Sequence, residues 1–337
     1  MSERTEPRAA IIGAGLMGRW HADAVRKVGG RVTVIVDPND AARAALGRRH
    51  PEARLVAEVD ASLLARHATA AHVCTPLSTH LDIVSTAIEA GLHTLVEKPF
   101  ARNAEETAPL LGLAEQRGVI TCPVHQFVFQ EGVRQITEWL PSLGRIHRVD
   151  FSTCSAGARG IDPASLDQLI AEILPHPLSL VSTLLGAPLG SSSWQIAHPV
   201  AGELRATTSV TDAIVSIAIS ARSRPTENML HVLGSAGSAT ADLFHGFAVR
   251  RAGVVSRRTK MTQPFIVAGK TFGSASVNLA RRTLRREFAY PGLTELVQQF
   301  YAAMRGERPA PFAPASIADV ACARDRILAS LTSARVD

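Results

Sequence analysis

The sequence predicts an α/β protein in two parts. A doubly wound parallel sheet comes first, followed by an α+β domain built on a large, mostly antiparallel open sheet. Three observations predict this. Short apolar runs alternate with helical patterns from Ala9 to Cys122, the arrangement that gives parallel strands covered by helices. A glycine-rich turn, Gly13-Ala14-Gly15-Leu16-Met17-Gly18, joins the first run to the first helix. Beyond Cys122, strand patterns follow one another with few helices between them, as antiparallel pairing requires. The expected domains are 1–122 and 123–337.

With 337 residues, 46 % of them hydrophobic, the chain can bury two cores. A net charge of +6 favours anionic partners. Aromatic residues are only 5 %, and no basic run is interleaved with stacking side chains, so nucleic acid is not expected. Cys74, Cys122, Cys154 and Cys322 form no C-x-x-C pair, which suits reduced thiols and no metal site. Met1 to Arg8 is polar, unlike a signal peptide, and no apolar run approaches a membrane span. A cytoplasmic protein without a membrane partner is the expectation.

In chain order, Ala9 to Ile12 is a strand, and Trp20, Ala24 and Val28 recur at helical spacing before Gly29-Gly30. Val32 to Val36 is a buried strand ending in Asp37. A strand, a G-x-G-x-x-G turn, a helix and an acid about 20 residues on are the context of a dinucleotide site. Gly13 permits the tight turn, Gly15 lets backbone N–H groups approach a pyrophosphate, and Gly18 lets the helix pack closely. Leu16 and Met17 complete the cradle. Asp37 would accept hydrogen bonds from the ribose hydroxyls and repel a 2′-phosphate. NAD is therefore favoured over NADP, although Arg43 or a basic residue beyond it could accommodate the phosphate.

Helices follow over Asn39 to Leu46, Ser62 to Ala68, Asp82 to Ala90 and Asn103 to Arg117. They alternate with strands at Leu55-Val56, Ala70 to Cys74, Thr94 to Val96 and Val119 to Cys122. This is a Rossmann pattern. The strand ending at Val96 delivers Glu97-Lys98-Pro99. Pro99 disfavours the α region for Lys98 and holds it extended, at the strand end where open α/β sheets bind ligands. The pKa of a lysine falls on burial or beside a second positive charge, and an oxidised nicotinamide ring is such a charge.

In the second part, strands are expected over Arg145 to Thr153, Leu204 to Val210, Ala213 to Ala221, Met229 to Leu233 and Ala239 to Leu243. Leu166 to Leu185 reads as one amphipathic helix carrying Glu172-x-x-x-His176. Residues at i and i+4 share a face, and Pro175 and Pro177 predict a kink at His176. Arg250, Arg251, Arg257, Arg258, Lys260, Arg281, Arg282, Arg285 and Arg286 carry much of the excess charge. The group from Arg281 to Arg286 reads as a solvated face, a subunit contact, or a clamp for a substrate phosphate or carboxylate. Helices over Thr294 to Met304 and Ala315 to Leu331 close the chain.

Gly13-x-Gly15-x-x-Gly18 with His21, Thr75-Pro76 with His80, and Glu97-Lys98-Pro99 together resemble the Gfo/Idh/MocA oxidoreductases, in order and spacing along the whole chain. The resemblance implies that Lys98 transfers a proton beside the nicotinamide, and that Thr75, Pro76, His80 and Glu97 lie along the cofactor. Pro123 to Phe129 resembles the family segment that crosses into the second domain. There Gln126 stands where an asparagine amide is usual, and it is counted with the cofactor-binding residues. Val124 and Val128 replace a glycine and an arginine, and Glu172 replaces the family's aspartate. The resemblance also implies a homodimer or homotetramer formed through the second-domain sheet.

The expected activity is reversible oxidation of a secondary alcohol on a sugar, cyclitol or related polyol, with NAD accepting the hydride. The substrate is a small polar molecule, anionic or nucleotide-linked variants included. Lys98 would take the hydroxyl proton, His176 would hydrogen-bond the reacting oxygen or relay its proton, and Glu172 would set the imidazole tautomer. Two other readings stay open. One is a lyase, epimerase or glycosidase that holds NAD through a closed redox cycle; the other is a non-catalytic NAD-binding protein.

Overall fold

The structure, a computed structural model, describes residues 6–155, 162–253, 256–287 and 289–333. The chain divides into two compact units, Met1–Val124 with Leu293–Ala321 and His125–Gly292 with Cys322–Asp337.

The first unit begins with β1 (Arg8–Ile12), α1 (Leu16–Lys27), β2 (Arg31–Val36), α2 (Asp40–Gly47), β3 (Arg54–Val56) and α3 (Ala61–His67). It continues through β4 (Ala70–Val73), α4 (His80–Glu89), β5 (His93–Val96), α5 (Ala104–Arg117) and β6 (Thr121–Pro123). Every strand pair is parallel, in the order β3-β2-β1-β4-β5-β6. The chain direction across the sheet reverses between β1 and β4, and in such sheets ligands bind outside the carboxyl ends of the strands at that point. The strands read as apolar runs because helices cover both faces; all four residues of β4 are buried. Asn39, Asp60 and Asn103 cap α2, α3 and α5 by accepting from Ala42, Leu63 and Glu106 N–H groups. Each such cap is worth about 1 kcal/mol. Helix α1 differs, for Gly15 gives it no side-chain cap.

The second unit carries α6 (Glu131–Leu143), β7 (Ile146–Cys154), α7 (Pro163–Ile173), α8 (Pro175–Leu185), β8 (Gln195–Ala197) and β9 (Glu203–Val210). Then come β10 (Ala213–Ser220), β11 (Glu227–Gly234), β12 (Gly237–Asp242), β13 (Phe247–Ala252) and α9 (Arg257–Leu284). The seven strands run β13-β12-β11-β7-β10-β9-β8, antiparallel except for the pair β7 and β10. The sequence reading missed α6, β8 and β13.

The helix expected over Leu166 to Leu185 is two helices, and the break falls at Leu174, two residues before the kink predicted at His176. Pro175 has no N–H to offer the Ala171 carbonyl. The buried Arg324 supplies the missing donor instead, its Nε lying 2.9 Å from that oxygen. Pro163–Leu185, 23 residues in all, contains a stretch with the length and apolar character of a membrane span. The expectation that no run does so is corrected here. More than half of the segment is buried within the fold, as befits a core helix.

Two last helices, α10 (Leu293–Met304) and α11 (Pro314–Ser333), close the chain. Residues 293–321, expected with the second domain, instead belong to the first unit. Their apolar stripe decides the matter. Leu296, Val297, Phe300 and Tyr301 of α10 are buried, and the Tyr301 hydroxyl bonds to a histidine in β4 at 2.8 Å.

Candidate active site

The glycine turn at the end of β1 has the geometry its sequence demands. Gly13 holds φ +98°, a region that side chains resist, and a Cβ there would lie 2.5 Å from the Cys74 carbonyl oxygen. A Cβ on Gly18 would lie 1.8 Å from the Gly13 carbonyl oxygen, so α1 can sit this close only through glycine. Around Gly15, by contrast, a Cβ would meet nothing within 4 Å. Leu16 is exposed beside it, and the uncapped N–H groups of the first turn of α1 suit an anion. The turn therefore fits a diphosphate, with its tight positions packed against protein and its middle one open.

Asp37 ends β2 as expected, yet its carboxylate is already engaged. Oδ2 accepts from the Ala14 N–H at 2.7 Å and Oδ1 from the Asn39 N–H at 2.8 Å. The same acid thus braces the glycine turn and offers its remaining lone pairs to ribose hydroxyls. Arg43 donates to the Asp37 carbonyl and pairs with Asp40. Its guanidinium is held among these groups rather than extended towards a 2′-phosphate, which favours NAD over NADP.

At the end of β5 the Lys98–Pro99 bond is cis, and Lys98 is half-buried. Its side-chain ammonium makes no hydrogen bond or ion pair among the described residues. The surrounding backbone is fixed from two directions. Lys98 donates its own N–H to Glu97 Oε2 at 3.2 Å. His80 lies 3.0 Å from the Pro99 carbonyl through Nδ1 and 3.0 Å from the Thr75 carbonyl through Nε2, tying the Thr75-Pro76 turn to the lysine segment. Thr79 closes that turn by donating to Thr75 Oγ1 at 2.8 Å. Glu97 and His80, expected along the cofactor, are turned into the interior. They hold Thr75 and Lys98 in place.

Glu97 begins a buried chain that the sequence did not reveal. Its Oε1 lies 3.1 Å from His21 Nε2, His21 Nδ1 lies 2.9 Å from His72 Nδ1, and His72 Nε2 lies 2.8 Å from the Tyr301 hydroxyl. One arrangement of hydrogens satisfies every atom. Tyr301 donates to His72, His72 donates to His21, and His21 donates to the Glu97 carboxylate. Burial, aided by His21, holds the His72 imidazole well below the usual histidine range, and burial pushes the Tyr301 phenol up. Both shifts suit a neutral chain of donors. The available signal was His72 itself, a polar residue in the middle of an apolar strand, which needs a partner. Tyr301→Phe leaves His72 Nε2 buried and unsatisfied, an expected loss of about 1–3 kcal/mol. Urea unfolding measures it, and an unchanged midpoint would remove the bond from the account.

In the second unit, the His176 ring is buried and stacks on Phe127, with centroids 4.4 Å apart and planes inclined by 16°. Gln168 Nε2 donates to Glu172 Oε1 at 3.2 Å, and the Glu172 charge acts on Arg324. Leu174 keeps helical backbone angles across the proline break, and the Leu178 N–H still bonds to its carbonyl, so Glu172 and His176 stay four residues apart along one helical path. Gln126 is buried, and its side-chain carbonyl oxygen has no partner among the described residues, leaving an acceptor for a ligand N–H or O–H. Among the described residues no cluster of three His, Cys, Asp or Glu side chains could hold a metal ion.

A 3-2-1-4-5-6 parallel sheet with an open glycine turn and an acid at the end of its second strand defines a dinucleotide-binding domain. Comparison with known proteins sharpens this. Residues 7–125 match the family GFO_IDH_MocA, described as an oxidoreductase family with an NAD-binding Rossmann fold. The chain is 30 % identical over 185 residues to UDP-N-acetylglucosamine 3-dehydrogenase of Acidithiobacillus ferrooxidans, covering 53 % of this chain and 55 % of that one. It is 28 % identical over 183 residues to a myo-inositol dehydrogenase of Streptomyces leeuwenhoekii, covering 52 % and 55 %. The chain thus spans about half the length of these relatives. In fold it is similar to the WlbA dehydrogenase from Bordetella pertussis in complex with NADH and UDP-GlcNAcA, with TM-score 0.76 at 17 % identity over 98 % of this chain and 96 % of that one. Over residues 7–125 the chain is thus similar to the NAD-binding Rossmann domain of the Gfo/Idh/MocA oxidoreductases.

Proposed function

We propose that the chain is an NAD-dependent dehydrogenase that interconverts a secondary alcohol and a ketone on a sugar, cyclitol or related polyol, nucleotide-linked sugars included. The observation that carries this reading is Lys98, braced through its backbone at the carboxyl end of β5 in the unit that bears the glycine turn. The names of the relatives, a UDP-sugar 3-dehydrogenase and an inositol dehydrogenase, support the substrate class.

Bound NAD would accept a hydride from the alcohol carbon or, reduced, return one to the ketone. The residues of the turn from Gly13 to Gly18 would hold its diphosphate, Asp37 its ribose, and Thr75 and Pro76 would line it. Lys98 would take the hydroxyl proton in oxidation and give it back in reduction. Glu97, with His21, His72 and Tyr301 behind it, keeps the Lys98 backbone in one place. His176, its ring plane set by Phe127, would hydrogen-bond the reacting oxygen, and Gln126 would accept from cofactor or substrate. Glu172 would set the imidazole tautomer.

The experiment incubates the protein with NAD and a panel of polyols, cyclitols and nucleotide sugars while reduced nicotinamide is followed by absorbance. Free NADH should accumulate with one substrate class. Product formed with no free NADH would point instead to a closed redox cycle, and tight NAD binding with no turnover would point to a binding protein. His176→Ala is expected to lower turnover by about 10²-fold or more, the scale of a lost proton-transfer partner. Glu172→Gln should cost less. Equal and negligible losses would take both residues out of the mechanism.

A further inference from the structure

Helix α9 is laid on its unit the wrong way round for a core helix. Its inner face is small and polar and is held by hydrogen bonds. Ser274 Oγ donates to the Ala248 carbonyl at 2.8 Å, Asn278 Nδ2 to the His245 carbonyl at 2.8 Å, and Arg282 Nη1 to the same His245 carbonyl at 2.7 Å. The apolar side chains point outward. Met261 is 83 % exposed, Phe265 78 %, Phe272 76 % and Leu279 68 %. Spacings of four, seven and seven residues put these four on a single stripe, and Ile266, Val277 and Leu284, also exposed, form a second row about 120° round the helix. Scattered exposed apolar residues need no explanation, but a continuous stripe of this size marks a surface that is covered in use.

The charge around the stripe says by what. From Ser256 to Arg286 the sequence has no acidic residue, while it has Arg257, Arg258, Lys260, Lys270, Arg281, Arg282, Arg285 and Arg286. Seven of these eight lie at or just beyond the two ends of the helix, outside the central stretch from Met261 to Ala280. A second copy of α9 laid on this face would bring two wholly cationic segments together, which like-charge repulsion opposes. A surface with negative charge and an apolar layer beneath it satisfies both features at once. An amphipathic helix with Phe, Met and Leu on one side and Lys and Arg around it lies in the plane of a bilayer, its apolar face in the headgroup and acyl boundary. At 28 residues the helix is roughly 42 Å long at 1.5 Å per residue, enough to lie flat across several headgroups.

We propose that the outward face of α9 binds the surface of a bilayer containing anionic phospholipid, with the Met261, Phe265, Phe272 and Leu279 side chains inserted and the flanking Lys and Arg residues on the lipid phosphates. The sequence reading expected no membrane partner because it found no spanning segment. A helix that lies on the surface needs none. The proposal is independent of which alcohol the protein acts on.

The test sediments the full-length protein with vesicles of phosphatidylcholine alone and of phosphatidylcholine mixed with phosphatidylglycerol. Binding to the anionic vesicles should exceed binding to the neutral ones by about tenfold or more, and added salt should weaken it. Phe265→Glu combined with Phe272→Glu should abolish binding while NAD affinity is retained, since both side chains are already more than three-quarters exposed. Lys260→Glu combined with Lys270→Glu should lower binding by about tenfold with the apolar stripe untouched. Equal binding to both vesicle types, or a double phenylalanine variant that sediments like the parent, overturns the proposal. So does an oligomer, seen by light scattering, that this variant splits while neither protein binds vesicles, for the stripe is then an interface between copies.

Discussion

Lys98→Met is expected to lower turnover by about 10² to 10⁴-fold while the dissociation constant for NAD stays within about threefold of the parent value. Methionine keeps the length and apolar stem of the lysine and deletes only the ammonium. The segment should therefore keep its shape, because its restraints lie elsewhere: the Glu97 carboxylate on the Lys98 N–H, and the His80 ring on the Pro99 carbonyl. The predicted loss corresponds to about 3 to 5 kcal/mol of transition-state stabilisation. Stopped-flow turnover beside fluorescence titration with NADH separates the two quantities. A variant that turns over normally would dismiss the lysine as the proton-transfer group. One that loses NAD as well would make it a binding residue.

The second large effect is a contrast between two glycines of one turn. Gly18→Ala places a methyl group 1.8 Å from the Gly13 carbonyl oxygen, so α1 must move away from the sheet. Both stability and NAD binding should fall, the former by about 1–3 kcal/mol, the cost typical of overpacking. Gly15→Ala meets no protein atom within 4 Å and keeps a backbone open to any residue, with φ −68°. Its melting temperature should barely change, whereas NAD affinity should fall by about tenfold or more, because the methyl group occupies the path by which a diphosphate approaches the backbone. Thermal melts with and without NAD give both numbers. If Gly15→Ala binds NAD like the parent, the diphosphate does not sit over this turn.

Much of this was legible in the sequence because it is local. The glycine turn, Asp37 and Lys98 are each marked by residues close by in the chain, although the groups that hold them, Cys74, Ala14 and His80, lie further off. Helix caps such as Asn103 and the end of α5 at Gly118 follow from single side chains and a left-handed glycine. What escaped is what joins distant parts of the chain. His72 and Tyr301 are 229 residues apart, and nothing near either one names the other. What replaces the missing Pro175 N–H escaped for a related reason: Arg324, which bonds the Ala171 carbonyl, lies 153 residues further on. Helix α9 shows the same limit. Its periodicity can be read from the sequence, but which face turns to the sheet and which to solvent is decided by the strand it meets.

The return of residues 293–321 to the first unit has a bearing on biosynthesis. A ribosome releases the six parallel strands long before it releases α10. Until then the pocket that takes Phe300 and Tyr301 stands open and the β4 imidazole has no phenol to meet. The nascent parallel sheet therefore waits, incompletely closed, until residues 293–321 have emerged. A fragment cut at Val124 would inherit that condition permanently, and would expose a greasy seam where the native chain has a helix.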